Sequence, residues 1–258
     1  MTFFLLVFGL SLPLWIVGGL LHVQLLPGVP LSSLMVVCPV TAAVLLSWKD
    51  DGRDGVVRVL RRSLDLSRID RRLWYVPTFL LMPGIAIAAY GLMRLLRMEL
   101  PGPQVAWGAV PGMLAMVILA ALAEELGWSG YATDRLQKNM TALQAAALIG
   151  VVTGVWHVVP LLEVGRSVGW TAWQVLNIGA ARVLLVWVYN NAGHSVTAAA
   201  LCHASVNVSW QLFPNQGSHY DPRVVGLITV AVAILVSVVW GPKTMTRRRD
   251  TRRAGLAA

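Results

Sequence analysis

Five ionisable or amide side chains lie within apolar stretches of this chain: Glu124, Glu125, His157, His203 and Asn207. A charged group at bilayer depth costs about 3 kcal/mol on insertion scales, so two adjacent glutamates there indicate a function. Carboxylate and imidazole groups activate water, and imidazole and amide N–H groups stabilise the oxyanion that forms when water attacks a carbonyl. These residue types therefore predict hydrolysis inside a membrane.

The spacing of these residues is compatible with one site. Glu124 and Glu125 are adjacent, so on a helix they point about 100° apart, and one can face a cavity while the other faces a neighbouring helix. His203 and Asn207 are four residues apart and share one helix face, where both can donate to an oxyanion. Each feature also has a structural interpretation, as a buried polar pair, an interhelical hydrogen bond or, for His157, a packing histidine. Their coincidence favours a site.

The same side chains include donors that suit a metal ion. Histidine and carboxylate ligands bind zinc and leave one position open for water, so Glu124, His157 and His203 form a candidate metal set. The pattern H-E-x-x-H is absent. Because a Glu–His pair can also activate water directly, the sequence leaves two alternatives open: a divalent metal such as zinc, or no cofactor.

The composition predicts a membrane protein. The chain has 258 residues, of which 57% are hydrophobic and 13% are charged. Soluble domains carry about 25% charged residues, so half of that load indicates a chain solvated mostly by lipid. A spanning helix needs about 20 apolar residues. We therefore predict an all-α polytopic membrane protein with about eight transmembrane helices in one bundle, a single domain over residues 1–242 whose motif-bearing core covers about 107–213.

Pro, Gly and charged residues delimit eight predicted spans. The span with the glutamates is extended past Gly127 and Gly130, because no helix breaker precedes Asp134. With eight spans, the linker 49–72, the tail and the turn between the fourth and fifth spans share one side and hold most of the Lys and Arg residues. The positive-inside rule makes that side cytoplasmic, with both termini there, in the plasma membrane of a bacterium. The spans cover residues 2–25, 31–48, 74–96, 107–133, 141–162, 170–190, 194–213 and 223–241.

The net charge of +9 does not predict a nucleic-acid partner, because the basic residues flank apolar runs. We predict anionic lipid as the partner of the linker 49–72, where Val56 and Leu60 show the spacing of an interfacial helix, and of the basic tail 243–258, predicted to be disordered. The cysteines are predicted to be buried hydrophobes and the remaining histidines to be interfacial; these residues are Cys38, Cys202, His22, His194 and His219.

The motifs resemble those of the CPBP family, the CAAX-processing and bacteriocin-processing intramembrane proteases. That family carries Glu-Glu-x-x-x-Arg, aromatic-x-x-x-His and His-x-x-x-Asn on three helices, and the matches here are EELGWSGY, TGVWH and HASVN. The resemblance runs from the fourth to the seventh span and implies an eight-helix fold with peptide-bond hydrolysis at an intramembrane cavity. By this analogy Glu124 and His157 activate water, His203 and Asn207 stabilise the oxyanion, and Glu125 supports them. The implied substrate is a peptide or a membrane-protein segment.

Two positions depart from the family pattern. Ser129 replaces the motif arginine, and Thr153 replaces the aromatic residue four positions before His157. Serine can donate a hydrogen bond to Glu125 but cannot neutralise it. We therefore hypothesise that Arg182, in the middle of the sixth span, supplies the missing charge.

Three other functions remain open at this stage. An inactive family member would act as a membrane scaffold or regulator. Gly127-Trp128-Ser129-Gly130 resembles the nucleophile motif of rhomboid serine proteases, with Ser129 as the nucleophile. A proton-coupled transporter would use Glu124 and His157 as a relay, although such proteins are often built from repeats and none is evident here.

Overall fold

The computed structural model describes residues 1–21, 24–26, 29–102, 105, 107–215 and 217–247. Over these ranges the chain forms ten α-helices, short 3₁₀ turns, one π-helical turn and one pair of very short antiparallel strands. The predicted all-α class is therefore confirmed, whereas His22 and residues 248–258 lie outside the described residues. The helices are α1 (Thr2–Leu21), α2 (Cys38–Arg61), α3 (Tyr75–Leu95), α4 (Val110–Gly127), α5 (Asp134–Leu136), α6 (Ala142–Trp156), α7 (Val158–Glu163), α8 (Val168–Asn191), α9 (Val196–Leu212) and α10 (Pro222–Trp240); the strands are Gln24–Leu26 and Val29–Pro30, and the π-helical turn is Trp128–Thr133.

Seven of the eight predicted spans correspond to helical stretches long and apolar enough to cross a membrane. The predicted span 194–213 forms α9, which is shorter, with 17 residues. Because α9 packs against α3, α4 and α8 and is exposed only at its last two residues, it can carry polar side chains at little cost. The seven stretches are Thr2–Leu21, Leu31–Leu64, Arg72–Leu95, Trp107–Leu136, Ala142–Glu163, Val168–Asn191 and Pro222–Trp240.

The helix predicted in the linker is the second half of α2, which bends at Gly52. Gly52 has φ 58° and ψ −142°, a conformation that glycine adopts without the steric penalty of a Cβ. Beyond the bend, Gly55 and Val59 are buried against the protein, whereas Leu60 is exposed. The exposed apolar side chain suits the surface of a membrane.

The chain that follows α10 folds back onto the ends of α6 and α8. The Lys243 carbonyl accepts a hydrogen bond from the Ala142 N–H at 2.9 Å, and the Asn191 amide donates to the Met245 carbonyl at 2.7 Å. Met245 is fully buried. Residues 243–247 therefore contact the helices, which the prediction of a disordered tail from residue 243 did not include. The Lys243 carbonyl satisfies an N–H group that the N-terminus of α6 leaves without a partner, and the Met245 carbonyl accepts from a side chain at the end of α8.

The cysteines lie as predicted, whereas the interfacial position of the remaining histidines stays a prediction. Cys38 and Cys202 are free and buried. His194 is half exposed and lies 3.3 Å from an Asp134 carboxylate oxygen, and His219 pairs with its neighbour in the loop before α10. None of these histidines is near the five predicted site residues in the hydrogen-bond network.

Helix α4 packs closely against α2 at Gly127, and this contact gives a stability prediction. A Cβ at Gly127 would lie 2.5 Å from the Pro39 carbonyl oxygen, whereas a Cβ at Gly112 of the same helix meets nothing within 4 Å. We expect Gly127→Ala to lower the free energy of unfolding by about 1–3 kcal/mol through overpacking. Gly112→Ala, the control, is expected to be neutral or to stabilise by up to about 1 kcal/mol. Thermal unfolding in detergent measures both, and an unchanged Tm for Gly127→Ala would contradict the close contact.

Candidate active site

Glu125 is the most connected of the predicted residues. Its Oε2 accepts hydrogen bonds from Arg182 Nη1 at 2.8 Å and from Ser129 Oγ at 2.5 Å, and its Oε1 lies 2.8 Å from His203 Nδ1. These partners come from the π-helical turn, α8 and α9, so one carboxylate of α4 connects the helices around it. The predicted pairing of Glu125 with Arg182 is present.

The pairing compensates for the departure from the family motif. Glu125 is fully buried and Arg182 is 3% exposed, so both charges lie away from bulk water. A buried carboxylate requires a cation and hydrogen bonds, because desolvation otherwise costs several kcal/mol. Ser129 supplies one of the hydrogen bonds and Arg182 supplies the charge.

Glu124 points elsewhere, as its position next to Glu125 predicts. Its Oε2 accepts a hydrogen bond from the Trp128 indole Nε1–H at 3.3 Å. Its Oε1 has no hydrogen-bond partner among the described residues, although the side chain is only 3% exposed. One oxygen of this carboxylate is therefore held and the other is free to contact a water molecule.

A π-helical turn, Trp128–Thr133, follows the glutamates directly. The Thr133 hydroxyl donates to the Trp128 carbonyl at 2.8 Å, so a side chain helps to satisfy the irregular turn. Such turns occur often at functional sites, because the additional residue displaces the side chains on either side of it. Sequence reasoning predicted a helix through this region but no irregularity within it.

His157 lies where α6 ends, as the C-cap residue of that helix. Its Nδ1 is 2.7 Å from the Thr153 carbonyl oxygen. Because a carbonyl only accepts, Nδ1 carries the hydrogen, and in a neutral imidazole Nε2 is then a base. His157 lies within electrostatic range of Glu124, His203 and Arg182. The fold thus brings it to the other groups.

Asn207 is one turn beyond His203 on α9 and is partly buried. Over the described ranges its side chain makes no hydrogen bond to another residue. Its amide is therefore available as a donor on the helix face that carries His203, which is the arrangement that the spacing predicts.

The conditional metal set does not assemble. No group of three His, Cys, Asp or Glu side chains within the described part of the chain is arranged to hold a metal ion. One oxygen of Glu124 is held by Trp128, and the Nδ1 atoms of His157 and His203 are directed to the Thr153 carbonyl and to Glu125. Each of the three side chains is therefore oriented by a different partner.

Ser129 does not form the arrangement of a serine nucleophile. Its hydroxyl donates to Glu125 Oε2, and in the described structure no histidine lies within hydrogen-bonding distance of it. His203, the nearest candidate base on the same network, is bonded to Glu125 instead. The G-x-S-G resemblance therefore lacks the base that activates serine.

Two residues that sequence reasoning did not single out hold the helices of the site. Asp65 accepts hydrogen bonds from the Val196 and Thr197 N–H groups at 3.1 and 3.0 Å, so the linker caps the N-terminus of α9. Arg62 donates to the Gly130 carbonyl of the π-helical turn at 2.8 Å. In the sequence, Asp65 is an acidic residue and Arg62 a basic residue of a charged linker. Such a linker resembles any surface segment, so nothing in the sequence indicates their contacts.

Comparisons with known proteins agree with this geometry. The sequence profile of a family described as Type II CAAX prenyl endopeptidase Rce1-like matches residues 106–209, the stretch that contains all the site residues and Arg182. The CAAX prenyl protease 2 of Methanococcus maripaludis is 26% identical over 262 aligned positions, which cover 91% of this chain and 92% of that protein. Together with the three motifs in their order, these similarities support the predicted membership of the chain in the CPBP family of intramembrane proteases.

Proposed function

We propose that this chain hydrolyses a peptide bond in a peptide or membrane-protein substrate by means of an activated water molecule. The observation that carries the proposal is the buried cluster of Glu125, Arg182 and His203 next to Glu124 and His157. A charged cluster that served only stability could be replaced by apolar side chains at little cost. Charges retained inside a membrane domain are typical of a reaction site.

Glu124 and His157 are proposed to activate the water. No direct hydrogen bond joins the two side chains in the described structure, and each has an atom without a partner, Glu124 Oε1 and His157 Nε2. A water molecule held between these atoms can lose its proton to one of them while it attacks the carbonyl carbon. The same group can then return the proton to the leaving amine.

His203 and Asn207 are proposed to stabilise the oxyanion. As an imidazolium paired with the Glu125 carboxylate, His203 donates through Nδ1 to Glu125 and presents its Nε2–H to the substrate. The Asn207 amide adds a second donor one turn away. Each such donor contributes about 10²–10³ in rate when it is oriented before the reaction. Glu125 supports the site by holding His203 in place.

The substrate class is proposed from the relatives. The matched family is described as prenyl endopeptidases, and the relative from Methanococcus maripaludis is named a CAAX prenyl protease. We propose that a peptide whose C-terminal region carries a prenylated cysteine is the first substrate to test. A transmembrane peptide without a lipid group is the alternative within the same chemistry.

The purified protein in lipid vesicles should cleave one of these two peptides in water enriched with ¹⁸O. We expect mass spectrometry to find one heavy oxygen at the new carboxyl group and none at the new amine. A folded protein that cleaves neither peptide would favour the inactive scaffold. A chelator is expected to leave the rate unchanged, because Glu124 and His157 need no metal to activate water; loss of activity that zinc restores would favour the metal set.

We also propose that the linker and the C-terminal region lie at the cytoplasmic surface and contact anionic lipid. The exposed basic side chains of the linker are attracted to such a surface by about 1 kcal/mol each. A tag after Ala258 is expected to be removed by added protease in inverted membrane vesicles and protected in right-side-out ones. The opposite protection would overturn the proposed orientation.

A further inference from the structure

The Glu124 carboxylate depends on one side chain for its orientation. Whereas Glu125 has three partners, the described residues offer Glu124 only the Trp128 indole N–H, at 3.3 Å. Trp128 is one helical turn beyond Glu124 and is fully buried. Any displacement of the indole therefore moves or releases the carboxylate.

Trp128 in turn contacts the residue that precedes His157. The rings of Trp128 and Trp156 meet edge to face, with centroids 5.6 Å apart and an interplanar angle of 76°. The Trp156 ring meets the His157 imidazole with centroids 5.0 Å apart at 89°. Edge-to-face pairs at these distances are favourable and directional. An unbroken series of contacts thus joins the two groups proposed to activate water.

Helix α1, which carries none of the motif residues, anchors this series. The Trp156 Nε1–H donates to Ser11 Oγ at 2.8 Å, and Ser11 donates to the Val7 carbonyl at 2.8 Å. Ser11 is fully buried. Phe3 of the same helix packs edge to face on Trp128, with centroids 5.5 Å apart. Residues of α1 therefore contact both indoles.

We propose that Trp128 and Trp156 are positioning residues, which set the separation between the Glu124 carboxylate and the His157 imidazole around the attacking water, with Ser11 as their anchor. This inference rests on the proposed function. Trp128 holds one oxygen of Glu124 so that the other faces the water, and Trp156 fixes the plane of His157. Trp156 also supplies, from the adjacent position, the aromatic contact that Thr153 cannot make.

The main test is Trp128→Phe, which removes the N–H group and keeps an aromatic ring. The assay measures kcat and KM for a fluorogenic peptide with a prenylated cysteine, in vesicles. We expect kcat to fall about 10- to 100-fold, as for a misplaced catalytic group, with KM unchanged. The control is Trp187→Phe, because Trp187 is also buried but its Nε1 has no partner among the described residues. Wild-type kcat in Trp128→Phe would overturn the inference.

A double substitution separates positioning from stability. In Glu124→Asp the shorter carboxylate no longer reaches the indole, so adding Trp128→Phe is expected to cause no further loss of kcat. An equal loss in both backgrounds would show that Trp128 acts on the fold and not through Glu124. Ser11→Ala, which leaves both rings in place, is expected to lower kcat less than Trp128→Phe and provides the test if Trp128→Phe does not fold.

A readout without substrate distinguishes failure of this inference from failure of the proposed function. The ¹H–¹⁵N signal of the Trp128 indole is expected to move in Glu124→Gln, while that of Trp187 stays in place. An unmoved Trp128 signal would overturn the inference even if the protein is a protease. A moved signal together with equal cleavage by Glu124→Gln and wild type would keep the contact and reject the proposed function.

Discussion

Glu124→Gln is expected to lower kcat/KM by about 10³-fold, within the range measured for loss of a general base. The amide keeps the size of the side chain and can still accept from the Trp128 indole, so folding should be preserved. Its oxygen cannot take a proton from water. His157→Ala is expected to cause a similar loss, and the double variant to lose little more than either single one, because the two groups act on one water molecule.

The control for this prediction is Glu99→Gln, which changes an exposed glutamate in the loop after α3. It should leave kcat/KM and thermal stability unchanged. Additive losses in the Glu124 and His157 double variant would indicate two independent roles. Cleavage by Glu124→Gln at the wild-type rate would contradict the proposed chemistry.

Arg182→Gln is expected to affect stability and activity together. It leaves the Glu125 carboxylate buried without its arginine partner, and breaking a buried pair in this way costs about 3–5 kcal/mol. We expect a lower Tm and a loss of kcat/KM of at least about 10², because His203 is held by the same carboxylate. Arg182→Lys keeps the charge but not the guanidinium geometry. Its Tm and kcat/KM should therefore lie between those of the wild type and those of Arg182→Gln.

The double variant Arg182→Gln with Glu125→Gln tests the cause of that loss. It removes both charges, so stability is expected to recover in part, while activity stays low because His203 has lost its anionic partner. Arg58→Gln is the control, since Arg58 forms an exposed ion pair worth at most about 1 kcal/mol. Unchanged folding and activity in Arg182→Gln would show that the missing motif arginine has no replacement.

The contacts of the site that could be predicted from the sequence are those between charged side chains in apolar spans. An arginine in the middle of an apolar span must find an anion, and Glu125 lacked its family partner, so the pairing with Arg182 could be inferred without coordinates. The helix and its two site residues at positions 203 and 207 followed from spacing alone. The length of α9 did not, because only the fold shows that its neighbours shield it from lipid.

Contacts between residues far apart in the sequence could not be predicted. Ser11 and Trp156 are separated by 145 positions in the sequence, and neither differs from ordinary residues of an apolar helix. Asp65 caps α9 across a similar distance. Hydropathy assigns such residues to a helix or a linker, but the arrangement of the helices determines which residues they contact.

The ordered segment 243–247 is a related case. Its basic composition is typical of a solvated tail, yet its backbone carbonyls accept hydrogen bonds from a backbone N–H at the start of α6 and from the Asn191 side chain at the end of α8. Amino-acid composition describes the side chains of this segment, whereas its contacts with the helices are made by backbone carbonyls.

The measurement that tests the account most directly is cleavage of the prenylated peptide by Ser129→Ala and Glu124→Gln side by side. Water activation predicts that Ser129→Ala keeps activity within about tenfold of wild type, since it loses only one of the hydrogen bonds to Glu125. Glu124→Gln should lose about 10³-fold. The reverse result, an inactive Ser129→Ala and an active Glu124→Gln, would assign the reaction to a serine nucleophile and contradict the account.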